Sequence, residues 1–267
     1  MPRATKIICT VKETPDELAH LAAERFSSIT AHAAEQRGVA RIAISGGSTP
    51  KAAFGLWASE QQPYRSRTPW DKLELYWVDE RCVPPDHAES NYRMTREAML
   101  SLVPIDPVRI FRIEGELDPE VAAARYESAI RNNLRLEGAE LPRFDLVQLG
   151  MGEDGHTASL FPHTDAINEL GRLVVPNHVP QKDAWRVTLT WPVINNAAEV
   201  FFLIEGAAKA EVLRDVLLGA YDPDLLPSQL IRPASGVLSF LLDQAAAAKL
   251  PSPTNGAGGR IEFEVTG

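Results

Sequence analysis

The chain has 267 residues, 45% hydrophobic and 24% charged, with 27 Lys and Arg set against 36 Asp and Glu for a net charge of -9. No basic block occurs and no apolar run approaches the roughly 18 residues that span a bilayer, which argues against a nucleic-acid or membrane partner. One domain, 1–267, with a substantial core is the expectation.

The opening Met1-Pro2-Arg3-Ala4-Thr5-Lys6 leads into a short apolar run at 7–11 without the pattern of a signal peptide, so a cytoplasmic protein is expected. Cys9 and Cys82 are the only cysteines and fall in or beside predicted strands, as buried free thiols would. Thr14-Pro15-Asp16-Glu17 carries a cap, an N1 proline and an N3 glutamate, and apolar residues then recur at helical spacing until Gly38. A strand at 39–44 follows, then the turn Ser45-Gly46-Gly47-Ser48-Thr49-Pro50 and a helix at 51–59.

The pattern repeats with a strand at 73–78, a loop at 79–89, a helix at 90–102, a strand at 108–113 and a helix at 119–136. Further strands are predicted at 144–149, 186–190 and 200–204, helices at 207–218 and 236–249, a flexible turn at 251–259 and a last strand at 261–265. Alternating strands and helices imply an α/β fold, a mainly parallel sheet with helices on both faces and ligands at the strands' carboxyl ends.

Three segments at such ends carry chemistry. Ser45, Gly46, Gly47, Ser48 and Thr49 join a strand to a helix, where free amides and hydroxyls suit a phosphate. The plainer alternative is a helix capped by Ser48 or Thr49 with Pro50 at N1, and the spacing is not that of a Walker loop. Val78-Asp79-Glu80-Arg81 ends a strand; side-chain alternation lets Asp79 and Arg81 share a face while Glu80 points elsewhere, unless the whole segment is a solvated strand end. Gly150-Met151-Gly152-Glu153-Asp154-Gly155-His156-Thr157-Ala158-Ser159-Leu160-Phe161-Pro162 puts a carboxylate and a near-neutral base at a strand-to-helix turn, although a glycine-rich loop with a solvated histidine would read the same.

Gly150, Gly152 and Gly155 match a dinucleotide fingerprint, but Pro162 comes too soon for a full crossover helix and no acid-ended strand follows about 20 residues on. Of the six histidines, His20 and His32 fall in the first helix and His87, His163 and His178 in loops; none has metal-ligand spacing, so neither metal nor cofactor is expected. Arg186 opens a predicted strand, where a surface charge is at least as good a reading as a site residue.

Together the 45–50 turn, Val78-Asp79-Glu80-Arg81 with Ser90-Asn91-Tyr92, the 150–162 segment and Phe201-Phe202-Leu203-Ile204-Glu205-Gly206-Ala207-Ala208-Lys209 resemble the 6-phosphogluconolactonase family, in order and spacing, over nearly the whole chain. The resemblance implies the modified Rossmann-like fold shared with glucosamine-6-phosphate deaminases, and Lys209 as a phosphate-site lysine. The deaminases are the main alternative, but they resemble His-Ile-Ala-Phe-Asn-Glu-Pro where this chain has His156-Thr157-Ala158-Ser159-Leu160-Phe161-Pro162. Their glutamate falls on Phe161, which cannot relay protons, and their tyrosine on Arg81. A sugar-phosphate sensor without activity is a third possibility.

The implied reaction is hydrolysis of 6-phospho-D-glucono-1,5-lactone to 6-phosphogluconate in the oxidative pentose phosphate pathway. His156 would be the base, Arg81 would counter the developing charge, and Asp79 and Asp154 would orient the histidine or bind sugar hydroxyls. The expected partner is therefore a small sugar phosphate; the sequence carries no signal of oligomeric state.

Overall fold

The computed structural model describes residues 5–251 and 260–265. Eleven strands form in that span: β1 (Thr5–Lys12), β2 (Ala40–Ile44), β3 (Leu73–Trp77), β4 (Asp79–Arg81), β5 (Ile110–Phe111), β6 (Leu146–Leu149), β7 (Val174–Val179), β8 (Ala184–Leu189), β9 (Glu199–Ile204), β10 (Val237–Asp243) and β11 (Arg260–Val265). The helices are α1 (Pro15–Arg37), α2 (Ser48–Ala58), α3 (Pro63–Arg67), α4 (Asn91–Ala98), α5 (Pro119–Leu134), α6 (Trp191–Asn195) and α7 (Ala210–Leu218). None is long and apolar enough to cross a membrane.

Eight strands make one sheet in the order β11-β1-β10-β9-β6-β2-β3-β5, parallel throughout except where β11 runs against β1. Successive residues of β2, β6 and β9 are buried, so both faces of the sheet are covered, as helices on both sides require. On one side Phe26 of α1 stacks on Trp57 of α2 with ring centroids 4.8 Å apart and also meets Phe201 of β9. A smaller antiparallel sheet, β4-β8-β7, packs against α5. α1 is capped as expected: Thr14 accepts from the Glu17 amide, and Gly38 ends the helix in the left-handed region.

Chain order sets the position of the ligand crevice. From β2 the chain steps outward to β3 and β5, then returns to β6 on the other side of β2 and continues to β9 and β10. The loops after β2 and β6 therefore leave in opposite directions, and a crevice opens between them at the strands' carboxyl ends. Those loops are the 45–50 and 150–162 segments.

Several expectations need correction. The helix predicted at 236–249 is β10 followed by a 3-10 turn, Ala246–Lys249. Its apolar run suits a helix by propensity, but the run lies between β1 and β9 and is buried on both faces, where strand pairing wins. The 79–89 loop begins as β4, and the 186–190 strand belongs, as β8, to the small sheet rather than the large one. β7, α3 and α6 were not predicted. His178 consequently lies in a strand, not a loop. The strand predicted at 108–113 shrinks to β5 after a 3-10 turn, Pro107–Arg109. No helix follows Gly150: after β6 the chain folds back as an irregular loop with a bridge between Thr157 and Leu160. Cys9 is buried and Cys82 half-buried; burial pushes their thiols up to about 12 and about 11, so both stay protonated and inert. Residues 252–259, most of the predicted flexible turn, lie outside the described span.

Candidate active site

A cavity of about 470 Å³ lies at this crevice. Its walls include the whole 45–50 turn, Asp79, Arg81, His156, Arg186 and Lys209. Segments far apart in sequence thus meet as expected, with one exception: Asp154 lies behind His156 and does not line the cavity.

The turn after β2 leaves the first helical amides of α2 without a side-chain cap. α2 starts at Ser48, three residues earlier than predicted, with Gly47 as N-cap and no side chain capping the first turn. The alternative of Ser48 or Thr49 as cap is therefore wrong. Pro50 falls at N3, where it removes one amide from the set that needs a partner, and the Ser48 and Thr49 amides open the helix beside the cavity. Gly46 is required by close approach: a Cβ there would sit 1.8 Å from the Asn91 side-chain oxygen. Beneath the turn, Gln148 of β6 accepts from the Ser45 amide at 3.0 Å and donates to the Ser45 hydroxyl at 2.8 Å.

β4 divides its charges by alternation. Asp79 and Arg81 face the cavity; Glu80 faces away, 2% exposed, and closes the N-terminus of α4. It accepts from the amides of Arg81, Asn91 and Tyr92, each at 2.8 Å, and from the Ser90 hydroxyl at 3.0 Å. Burial pushes its carboxyl up and the backbone amides pull it down, leaving it above the usual range. The Ser90-Asn91-Tyr92 motif is in part the cap for this carboxylate. Glu80→Gln would set an amide N–H group against donors, and we expect it to lower the unfolding free energy by about 3 kcal/mol in a denaturant titration. A loss below about 0.5 kcal/mol would contradict the cap.

Asp79 is held from behind by the Ser159 hydroxyl at 2.6 Å and the Asn91 amide group at 3.4 Å, which leaves it facing the cavity. It has no bond to His156, so of its two expected roles the geometry suits sugar hydroxyls. Arg81 donates through Nη1 to the Glu89 carbonyl. Arg186, directly across the β4–β8 ladder, lines the cavity too, and the surface reading fails. The Nε atoms of both arginines are buried without a protein partner. Burial and then the neighbouring Arg81 charge lower the Arg186 pKa, with Asp79, Glu89 and Glu80 opposing them.

The loop after β6 presents His156. Its Nδ1 lies 2.5 Å from Asp154 Oδ1, which also accepts from the His156 amide at 3.2 Å. Burial pushes the Asp154 carboxyl up, but the bonds and charge of His156 outweigh it and hold it at about 2. An ionised Asp154 takes the Nδ1 proton as its bond, leaving the Nε2 lone pair free. Phe161 stacks on the imidazole with centroids 3.9 Å apart and planes 16° off parallel. Gly152 is what permits this: a Cβ there would lie 2.0 Å from Nδ1.

Because its carboxyl is held low, Asp154 contributes stability that is complete above its ordinary 3.8 and lost as pH falls through about 2. The stability difference between the wild type and Asp154→Asn should shrink as pH falls from about 4 and vanish near pH 2; for this part-exposed group it is about 1 kcal/mol after screening. Acid titration followed by circular dichroism checks it, and a difference that persists at pH 2 would contradict it.

Lys209, in a 3-10 turn after β9, lines the cavity and lies 3.8 Å from Glu153. Gln148, Ser159 and Lys182 were not predicted, and Lys182 reaches the cavity from the tip of the β7–β8 hairpin. A signal existed for Gln148, a polar residue inside a buried apolar strand. Among the described residues no group of three or more metal-binding side chains gathers.

A family model described as glucosamine-6-phosphate isomerases/6-phosphogluconolactonase matches residues 13–240. A 6-phosphogluconolactonase of a Nostoc species is 40% identical over 245 residues, 90% of this chain and 98% of that protein. The structure of a 6-phosphogluconolactonase from Trypanosoma cruzi superposes with a TM-score of 0.81 at 31% identity, over 94% of this chain and 99% of that one. A monomeric glucosamine-6-phosphate deaminase, 22% identical with a TM-score of 0.72 over 90% of this chain and 99% of that one, shares the fold.

Proposed function

The chain belongs to the glucosamine-6-phosphate isomerase/6-phosphogluconolactonase family and acts as a 6-phosphogluconolactonase of the pentose phosphate pathway; we propose that it does so with His156 as general base, turned by Asp154. The single observation that carries this mechanism is the His156 ring, tied at Nδ1 and lining the cavity with Nε2 unpaired.

A water held at Nε2 attacks the lactone carbonyl carbon and gives its proton to Nε2 as the carbon–oxygen bond forms. The carbonyl oxygen becomes an oxyanion, which Arg81 stabilises. When that intermediate collapses, the bond from the carbonyl carbon to the ring oxygen breaks, and the imidazolium returns its proton to the departing oxygen. A free acid and a hydroxyl result, with no change of oxidation state. The substrate's phosphate lies on the Ser48 and Thr49 amides, with Ser45, Lys209 and Arg186 completing its shell. Asp79 accepts from sugar hydroxyls.

Phe161, apolar and stacked on His156, is the observation against proton relay to an amine-bearing sugar. We place the enzyme in the cytoplasm and read the chain as one domain, since a single buried cluster takes in Leu149 and Phe202 of the large sheet with Val174 and Leu189 of the small one. The test is the hydrolysis rate of freshly generated 6-phosphogluconolactone above the spontaneous blank, with product reported by 6-phosphogluconate dehydrogenase. Folded protein that gives no acceleration would overturn the reading, and turnover of glucosamine 6-phosphate would move it to the deaminase side.

A further inference from the structure

We infer that Gln148 is a positioning residue that turns the Ser45 hydroxyl hydrogen into the cavity, making Ser45 a fixed donor to the substrate's phosphate. The inference rests on the reading that the 45–49 turn receives that phosphate. Gln148 is fully buried in the middle of an apolar strand, and Ser45 is 5% exposed at the cavity wall.

The two bonds between them fix which atom donates and which accepts. A backbone N–H can only donate, so the Gln148 atom 3.0 Å from the Ser45 amide must be its carbonyl oxygen. Its other terminal atom is then the NH₂ group, which has no lone pair to offer and must donate to Ser45 Oγ at 2.8 Å. The Ser45 oxygen is thereby occupied as an acceptor, and its own hydrogen must point away from Gln148. A hydrophobic residue at 148 would leave the hydroxyl free to rotate and the buried Ser45 amide without an acceptor. With Gln148 in place the donor is set before the ligand arrives, so binding does not have to order it.

The discriminating variant is Gln148→Glu, nearly the same shape. Above the titration of the introduced carboxyl, both its oxygens accept: the Ser45 amide still donates to one, but the Ser45 hydroxyl now donates to the other and presents lone pairs to the phosphate. Below it, the carboxylic acid again donates to Ser45 Oγ and restores the original direction. The expected result is a KM for the lactone raised about tenfold to a hundredfold at pH 7.5, roughly the effect of losing one hydrogen bond to a charged group. kcat should change little, and the ratio of the variant's KM to the wild type's should fall toward one as pH is lowered.

Ser45→Ala should raise KM by a similar factor, and adding Gln148→Glu to it should cost little more. A KM ratio flat with pH, or an equal penalty in the Ser45→Ala background, would assign the effect to charge or fold and overturn the inference. So would an unchanged KM in Ser45→Ala. If Gln148→Glu does not fold, Gln148→Met removes the donor without adding charge, and its KM penalty must likewise disappear in the Ser45→Ala background. Lys209→Ala separates this failure from that of the parent reading: if it raises KM while the Ser45 and Gln148 variants do not, only the positioning role is lost; if none of the three does, the phosphate is not bound at this turn.

Discussion

Replacing His156 with alanine is expected to lower kcat by about 10²–10⁴ while KM stays within a few-fold, because in the proposed mechanism the imidazole acts on water in the transition state rather than on the bound sugar phosphate. Positioning makes the effect large. The ring is held at Nδ1 by Asp154, covered on one face by Phe161, and admitted by the missing Cβ of Gly152. On that mechanism alanine removes the base and leaves the proposed phosphate partners, the 45–49 turn, Arg186 and Lys209, in place, so ground-state binding should persist. Asp154→Asn should fall between the two enzymes, since an amide can still meet Nδ1 but no longer selects the tautomer by charge. Initial rates after subtraction of spontaneous lactone hydrolysis measure all three. A loss of less than tenfold for His156→Ala, or a loss confined to KM, would remove the histidine from the chemistry.

The sequence made these loops legible because each pairs a strand end with residues that need special backbone or carry charge. Gly46 and Gly152 look interchangeable in sequence, yet each is required by a different side chain, Asn91 in one case and His156 in the other. Strand alternation separated Glu80 from Asp79 and Arg81 correctly because β4 is an extended segment, even though it was predicted as a loop. Arg186 could not be placed in the same way. Its role depends on β8 pairing with β4, and register between segments about 100 residues apart leaves no local pattern. The same limit explains β10: nothing in its apolar run records that β1 and β9 flank it. Asp154 was assigned to the right partner but given an alternative hydroxyl-binding role, since spacing alone does not tell a carboxylate beside a cavity from one behind its histidine.

Arg186→Ala should separate binding from stability with opposite signs. Two guanidiniums stand across one ladder position with their Nε atoms buried and unpaired, and burial, then the Arg81 charge, lowers the Arg186 pKa against the opposing pull of Asp79, Glu89 and Glu80. Like charges held together in a part-buried wall oppose folding, so removing one should leave the melting temperature of the free enzyme unchanged or higher. On the proposed binding mode the substrate's phosphate takes Arg186 as its guanidinium partner, while Arg81 serves the oxyanion. The phosphate's loss of that guanidinium partner should raise KM by about tenfold to a hundredfold, with kcat reduced far less than in His156→Ala. Lys209→Ala should act in the same direction but more weakly, because its ammonium is already 3.8 Å from Glu153 and is a point charge rather than a planar fork. The stabilisation that 6-phosphogluconate confers on the wild type in a thermal shift experiment should shrink in both variants, and more in Arg186→Ala. If Arg186→Ala instead melts several degrees lower with KM unchanged, the guanidinium pair is part of the scaffold and the phosphate must be held by the α2 amides, Ser45 and Lys209.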